Sequence, residues 1–412
     1  MPYPDSPFVE TFKSQLVTCL SDEKSDTTIS NAEYERTLRW LCSSPRITSY
    51  RINTLKSNTE EILQALKKHV SEVLGESLIK IDIHPSISDV IVIHNNDINE
   101  KLLERHDKQI VVDVDCAAAL LRGAHVYAPG VMAMMSGTQI NDEVSVFADA
   151  SRKCKKGLQK LYKDENKIFI GNGVVKMKRH ELFGENLNPS GIAIEITETI
   201  SGCPPLGDHF LPPGSALLQN LPSILCVHAL NPQPNENIID MCASPGNKTT
   251  HIAELMQNKG VLIAIDKTSK RVTQLKKRCD EFGAKAYIFE ADSSKILSLD
   301  SVDCSRQNSI KDGPPFLPET FDKVLLDAPC SVLGKRPQLV NRLSEKMIKS
   351  YVPLQRKLFE TAVTLLKTHG TLVYSTCTIT LAENEGMVAW ALRTFKCLEL
   401  VRPSLCLGGQ DG

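Results

Sequence analysis

The sequence predicts an α/β protein whose C-terminal half is a doubly wound parallel sheet, preceded by a small α/β unit and a run of short strands. Three observations carry that prediction. From about Leu217 onward, short apolar runs alternate with segments of helical period, the pattern of repeated strand–helix–strand units. Cys330 and Cys377 each stand just after such an apolar run, hence at a strand's carboxyl end, where open α/β sheets bind ligands. Between about Gln109 and Cys203 the texture changes to short β-like runs broken by turn signals, which predicts a small barrel.

A chain of 412 residues with 42% hydrophobic residues has room for two or three cored domains. Its net charge of −1 means that an anionic partner must be met by local patches rather than by a global field. The thirteen cysteines are odd in number and contain no Cys-x-x-Cys pair, and the histidines are scattered. Zinc-ligand spacing is therefore absent and no metal is expected. Reduced thiols in an intracellular compartment, the cytoplasm, are the simplest reading. The first thirty residues have no apolar signal core and no run is long enough to span a bilayer, so no membrane association is expected.

The first unit is expected over residues 1–108. Helices are predicted from Ala32 to Cys42, stopping before Pro45, and after a capping box at Ser57-Asn58-Thr59-Glu60. There Ile62, Leu63, Leu66, Val70, Val73 and Leu74 recur at helical spacing and end before Gly75. Strands are predicted at Tyr50–Leu55, Ile79–Ile83 and Val90–Ile93.

The second unit is expected over residues 109–203, with strands at Ile110–Val114, Ala124–Tyr127, Glu143–Phe147 and Ile168–Ile170. Pro129-Gly130 and Gly171-Asn172-Gly173 read as turns. Arg152, Lys153, Lys155, Lys156, Lys160, Lys163, Lys167, Lys176, Lys178 and Arg179 face only Asp164 and Glu165, a local charge of +8. Two readings stay open for that run, a solvated face or a surface for nucleic-acid phosphates.

The third unit is expected over residues 204–412. Strands are predicted at Asn237–Met241, Val261–Ile265, Ala286–Phe289, Lys323–Leu326 and Thr371–Tyr374, with helices at Thr249–Met256, Ser269–Phe282 and Pro353–Leu366. The first strand–helix turn, Asp240 to Thr250, contains Gly246 and can present backbone N–H groups to an anion or carboxylate. It is neither a G-x-G-x-x-G fingerprint nor a P-loop, because Asn247 precedes Lys248. Asp266 ends the next strand, placed to accept from ribose hydroxyls, and Asp292 follows the third strand, within reach of an adenine edge. A lone cysteine is usually a small buried hydrophobe. Two at neighbouring strand ends, one sharing its turn with Asp327, suggest covalent chemistry instead.

These residues resemble the Sun-domain RNA cytosine-5 methyltransferases. The resemblance rests on Ala243–Lys248, Asp266, Asp292, Asp327-Ala328-Pro329-Cys330-Ser331 and Ser375-Thr376-Cys377, with Arg51-Ile52-Asn53-Thr54 and Gln219-Asn220-Leu221-Pro222-Ser223 upstream. The stretch Leu121–Gly130 resembles a PUA RNA-binding module inserted into the N-terminal part, as in the branch that methylates tRNA near its acceptor end. The resemblance implies a Rossmann-like, S-adenosylmethionine-dependent sheet and a monomer whose partner is tRNA. It implies that Cys377 attacks cytosine C6, that Cys330 helps remove the C5 proton or release the product, that Asp327 holds or protonates the base edge, and that Lys248 belongs to the catalytic set. Cys242, Ala243, Ser244, Pro245, Gly246, Asn247, Lys248, Asp266, Asp292 and Asp327 are the implied cofactor residues. Arg122, Tyr127, Lys153, Lys155, Lys156 and Lys160 are expected to face RNA.

Three departures from the family pattern are visible. Asn247 stands where the family has a second Gly, and would be strained if the position requires φ > 0. Val332 stands where Gly follows Pro-Cys-Ser, and a β-branched residue is expected to strain that turn. The chain stops at Gly412, where family members continue with further strands, and a sheet edge or face is therefore expected to be left uncovered. A catalytically impaired RNA-binding protein is therefore the alternative expectation.

Overall fold

The computed structural model describes residues 31–74, 79–95, 103–184, 187–207, 210–298, 309–341 and 343–405. The expected helix end before Gly75 and the chain's last residues lie outside that set. The first unit holds α1 (Asn31–Cys42), β1 (Ile47–Ile52), α2 (Thr59–Leu74), β2 (Ile81–His84) and β3 (Ile87–His94). Helix α2 forms because Ile62, Leu63, Leu66 and Val70 recur on one face and bury against Tyr50, Ile52, Ile91 and Ile93. Its cap is Asn58, whose Oδ1 accepts the Glu61 N–H at 2.9 Å, rather than the expected Ser57. Strand β1 starts and ends three residues earlier than the sequence suggests. Asn53 ends it by turning the chain, with its carbonyl accepting from the N–H of Lys56 and Ser57.

The middle unit contains β4 (Gln109–Val112), α3 (Val114–Leu120), β5 (Val126–Tyr127), β6 (Val131–Met134), β7 (Glu143–Asp149), β8 (Lys167–Val175), α4 (Arg179–Leu182) and β9 (Ile192–Thr199). The strands form one six-stranded sheet in the order β5-β9-β8-β7-β4-β6. The expected strand Ile110–Val114 stops at Val112 because Asp113 caps α3, accepting the Cys116 N–H at 2.8 Å. Gly171-Asn172-Gly173, expected as a turn, lies inside β8. A Cβ on Gly171 or Gly173 would come within 2.1 or 2.6 Å of a β9 carbonyl oxygen, so these glycines permit close strand approach at a register shift.

The last unit opens with β10 (Ala216–Leu218) and α5 (Leu221–Leu230). Strand β10 pairs with β1, so the N-terminal sheet runs β10-β1-β3-β2. There follow β11 (Asn237–Asp240), α6 (Asn247–Leu255), β12 (Val261–Asp266), α7 (Ser269–Phe282), β13 (Tyr287–Glu290), β14 (Phe321–Asp327), α8 (Glu345–Leu365), β15 (Leu366–Ser375) and α9 (Glu385–Thr394). All pairings in this sheet are parallel, in the order β13-β12-β11-β14-β15. The order reverses beside β11, so the crevice at the carboxyl ends of β11, β12 and β14 is the switch point at which such sheets bind ligands. Helix α8 starts eight residues before the expected Pro353, because Ser344 caps it and Ile348 extends the buried stripe of Leu358, Phe359, Ala362 and Leu365. Among the described residues no helix is long and apolar enough to cross a membrane.

The first unit is locked to the catalytic sheet by buried polar contacts. The Arg51 guanidinium meets Glu254 Oε2 at 3.1 Å and Thr250 Oγ1 at 2.9 Å, both on α6, with Arg51 and Glu254 almost fully excluded from water. Thr54 donates through N–H and hydroxyl to Glu254 Oε1, each at 3.1 Å. Asn53 donates to the carbonyls of Gly214 and Phe282. The Arg51–Thr54 segment thus grips the helix that follows the first catalytic turn.

Candidate active site

Between β11 and α6 the chain makes a tight turn in which Gly246 adopts φ +106° and caps the helix. A Cβ there would press on Leu275 and Arg278 at 3.0 to 3.2 Å, so the position needs glycine twice over. Asn247 is the first residue of α6 and does not share the positive φ. The strain expected from the Gly-to-Asn departure is therefore absent, because the left-handed residue is the preceding one. The Asn247 Oδ1 is buried without a hydrogen-bond partner, an acceptor open to a donor such as an ammonium group. Asp240 lies buried beneath the turn and accepts from Thr249 Oγ1 at 2.7 Å, and burial pushes its carboxyl up to about 7.

Asp266 and Asp292 stand in a row at the next two strand ends. The Asp266 carboxylate accepts from the N–H of Ser244 at 3.0 Å and of Lys267 at 2.8 Å, and pairs with Arg271 Nε at 3.0 Å. These contacts take three of the roughly four lone-pair directions of a carboxylate and leave one on Oδ2 for a ligand hydroxyl. Asp292 accepts from Ser294 and pairs with Lys267 Nζ at 2.9 Å, contacts that hold its carboxyl low, at about 2. An open acceptor at the turn and a row of hydrogen-bonded carboxyl groups match the amine and ribose ends of an adenosyl amino acid.

Strands β14 and β15 bring the two cysteine boxes together. Leu326 lies beside Tyr374 and Asp327 beside Ser375 in register. Ser375 Oγ donates to Asp327 Oδ1 at 2.7 Å, and Lys248 Nζ reaches Oδ2 at 2.8 Å from the first turn. Burial pulls Lys248 down, but attraction to Asp327 and Asp240 outweighs it, and the ammonium is held charged. The sulfurs of Cys330 and Cys377 are 3.3 Å apart. Cys330 is buried and Cys377 is exposed. Cys330 Sγ accepts from the Cys377 thiol and from the Cys377 N–H at 3.3 Å, and the Val332 N–H adds a third donor. Those donors hold the Cys330 thiol below its ordinary range against the effect of burial, while the same contact raises Cys377. The contacts thus make proton loss easier at Cys330 than at Cys377.

Val332 adopts φ +60° and is half exposed, so the strain expected there is present. Left-handed backbone costs an L-residue about 1–2 kcal/mol, more than the entropy a glycine loses on folding. Val332→Gly should stabilise the fold by about 0.5–1 kcal/mol. Urea unfolding checks this, and an unchanged or lowered midpoint would count against strain.

Around this centre lie residues the sequence did not single out. Glu383 is wholly buried and accepts from Ser331 N–H at 3.0 Å, from Gln355 Nε2 at 2.9 Å and from Thr380 Oγ1 at 2.8 Å. In sequence it reads as a solvated acid ahead of a helix, and only burial reveals it. A cleft of roughly 340 Å³ opens beside Ser331 between the catalytic loop and α3, with Asp115, Arg122, Lys335, Asn341 and Tyr351 among its walls. Arg122 joins its two sides, donating to the Arg336 carbonyl at 3.2 Å.

Tyr127 is half exposed beyond α3. Lys153, Lys155, Lys156 and Lys160 are exposed on the β7–β8 connection. Two other members of the basic run turn inward, and a third, Lys176, is exposed but held in an ion pair. Arg179 donates to the carbonyls of Met134 and Leu158, Lys167 to Gln109 and Tyr162, and Lys176 pairs with Glu195. The exposed positive surface is smaller than the charge count suggests. Elsewhere, Asp89, His228 and His251 gather three ligand-type groups between the first unit and α5 and α6. Burial, with Arg51 beside it, holds His251 down at about 3. A further cation there would oppose that guanidinium, and the cluster acts as a polar contact between the two units.

Comparison with known proteins agrees with this geometry. A family model described as "16S rRNA methyltransferase RsmB/F" matches residues 227–406. The mouse tRNA (cytosine(72)-C(5))-methyltransferase NSUN6 is 44% identical over 381 residues, covering 92% of this chain and 78% of the relative. The human protein of that name is 40% identical over 399 residues, covering 96% and 81%. The crystal structure of NSun6 from Pyrococcus horikoshii with SFG superposes with a TM-score of 0.72 at 27% identity, covering 98% of this chain and 92% of that one. With the switch-point crevice, the row of acids and the paired thiols in one sheet, the chain belongs to the NSUN6 branch of the Sun-domain RNA cytosine-5 methyltransferases, enzymes dependent on S-adenosylmethionine.

Proposed function

We propose that this protein methylates C5 of a cytosine near the 3′ acceptor end of tRNA through a covalent bond between Cys377 and cytosine C6. The contact that carries the reading is the 3.3 Å approach of the two sulfurs beside the Lys248–Asp327 pair. The names of the NSUN6 relatives support the tRNA substrate.

S-adenosylmethionine supplies an electrophilic methyl group. Residues Cys242 to Lys248, Asp266, Asp292 and Asp327 would hold it along the strand ends. Cytosine C5 is a poor nucleophile, and an adduct at C6 makes it enamine-like. The cycle starts with Cys330 as the thiolate, the form its hydrogen-bond donors favour, and Cys377 holding the proton. As the base arrives, that proton crosses to Cys330 and the freed Cys377 sulfur bonds to C6, sending the C5–C6 π pair into the ring. Asp327, fixed by Ser375 and Lys248, holds the base's polar edge. After C5 has taken the methyl group, Cys330 releases its proton to solvent and removes the C5 proton. The C5–H pair re-forms the double bond, expels the Cys377 sulfur, and the proton passes back to Cys377. The cycle releases one proton per methyl group and restores the starting pair, a Cys330 thiolate beside a Cys377 thiol.

The target must be unstacked to meet Cys377. The cleft beside Arg122 and the exposed lysines, together with Tyr127, support RNA contact by the middle unit, read as a PUA-type module over residues 109–203 between an N-terminal unit of 1–108 and a catalytic unit of 204–412. Phosphate contacts of this kind position RNA and do not read its sequence. The cysteines described are all free thiols, which suits a reducing cytoplasm, and the protein acts as a monomer. Incubation with tRNA transcripts and labelled S-adenosylmethionine should place one 5-methylcytosine near the 3′ end. Methylation confined to rRNA, or none with the cofactor bound, would overturn the reading.

A further inference from the structure

We propose that the Glu383-Asn384 dipeptide is a positioning element that holds the two reactive thiols in contact, with Glu383 anchoring the Cys330 turn and Asn384 the Cys377 turn. The inference rests on the covalent reading of Cys330 and Cys377 for its consequence in catalysis, but its geometry stands without it. Glu383 ends the 3₁₀ turn Leu381–Glu383, and Asn384 joins that turn to α9. Glu383 accepts the Ser331 N–H at 3.0 Å and also the Ser331 hydroxyl, so the residue after Cys330 is held twice. Asn384 accepts the Thr376 hydroxyl and donates Nδ2–H to the Thr378 carbonyl at 3.1 Å, which brackets Cys377 on both sides.

The two turns are also joined to each other. Thr378 Oγ1 lies 2.6 Å from Ser331 Oγ, whose own proton points to Glu383. Gln355 of α8 completes the frame, donating from one amide nitrogen to the Pro329 carbonyl and to Glu383 Oε2, both at 2.9 Å. Thr380 fills the last direction on Oε1 at 2.8 Å. A fully buried carboxylate with four donors is expensive to desolvate and is retained only where its contacts are complete. The frame's contacts at Ser331, Pro329, Thr376 and Thr378 each end one residue from a reactive cysteine. Neither residue touches the reacting atoms, and both act through the turns they hold.

The distance they set is measurable without RNA. A diazene oxidant such as diamide removes two hydrogens from a thiol pair and leaves a disulfide, at a rate set by how often the sulfurs meet. Peptide mapping of the full chain after brief diamide treatment reads the Cys330–Cys377 cross-link among the other cysteines. Glu383→Ala should slow that cross-link about tenfold and lower kcat for methyl transfer about thirtyfold or more, with KM for tRNA and affinity for S-adenosylmethionine within about threefold. Glu383→Gln should restore both to within about threefold of the parent. Its amide can accept from Ser331 N–H and donate to the two hydroxyls, which rotate to accept.

Ser331→Ala removes only the bridging hydroxyl and serves if the alanine variant at 383 fails to fold. It should slow the cross-link several-fold at an unchanged melting temperature. Parental cross-linking in a folded Glu383→Ala or in Ser331→Ala would overturn the proposal. A slowed cross-link in a protein that methylates no RNA even as the parent would retain the positioning role and refute the methyltransferase reading instead.

Discussion

Cys377→Ala should lower methyl transfer by on the order of a thousandfold or more, the loss expected if the proposed covalent nucleophile is removed. Cys330→Ala should instead leave a protein–RNA adduct that survives denaturing electrophoresis. The asymmetry follows from the site. Cys377 is the exposed sulfur and can meet a base, whereas Cys330 is buried behind it with three donors on its sulfur. Without Cys330 the attack on C6 still proceeds when solvent takes the Cys377 proton. The C5 proton then has no thiolate beside it, and the adduct cannot collapse. Incubation with labelled tRNA followed by gel analysis distinguishes the two variants. A Cys377→Ala protein that retains turnover would reverse the assignment of the two thiols, and an absence of adduct in Cys330→Ala would remove Cys330 from product release.

Arg51→Met destabilises the protein by about 3–5 kcal/mol, because it leaves Glu254 buried and uncompensated. Arg51 and Glu254 have side-chain exposures of 0% and 1%, and their contact joins the N-terminal sheet to α6. Burial pushes the Glu254 carboxyl up to about 7 although Arg51 draws it down. An acid whose folded value lies above its unfolded one contributes stability in full below the unfolded value, near 4.5, and loses it as pH rises through the folded value, near 7. Removing Arg51 raises Glu254 further, so the deficit of the variant should widen between pH 6 and pH 8. Glu254→Gln in the same chain removes the stranded charge and should recover a large part of the loss. Urea midpoints at the two pH values check the sign. A deficit independent of pH would mean that Arg51 acts through packing on Phe282, which lies 5.7 Å away, rather than through its charge.

Much of the catalytic unit was legible because its signals are local. Apolar runs and helical periods give the alternation of strand and helix, and a residue just after an apolar run is at a strand end whatever the rest of the chain does. Cys330, Cys377, Asp327, Asp266 and Asp292 were found that way and stand at or just after the carboxyl ends of β12, β13, β14 and β15. The N-terminal and middle units were read less well. Asn53 ended β1 early through side-chain contacts with Gly214 and Phe282, far away in sequence. The Gly171-Asn172-Gly173 segment has the composition of a turn, and only the close approach of β9 makes it a strand. The charge count could not tell Lys155 from Arg179, because both are basic and only the fold turns one inward.

The sequence alone determined the order of the catalytic elements, the strand ends that carry the acids and thiols, and the family they resemble, since each is a matter of period and spacing along one chain. The tertiary structure decided what those residues do to one another. The 3.3 Å sulfur contact, the easier loss of a proton at Cys330, the ordinary backbone at Asn247 and the strained one at Val332 depend on how segments distant in sequence meet at the carboxyl edge of the sheet. Glu383 is the clearest case. Its neighbours in sequence mark it as a surface acid, and its neighbours in space make it the buried acceptor beneath the catalytic turns, because burial and partner geometry are properties of the fold and not of local composition.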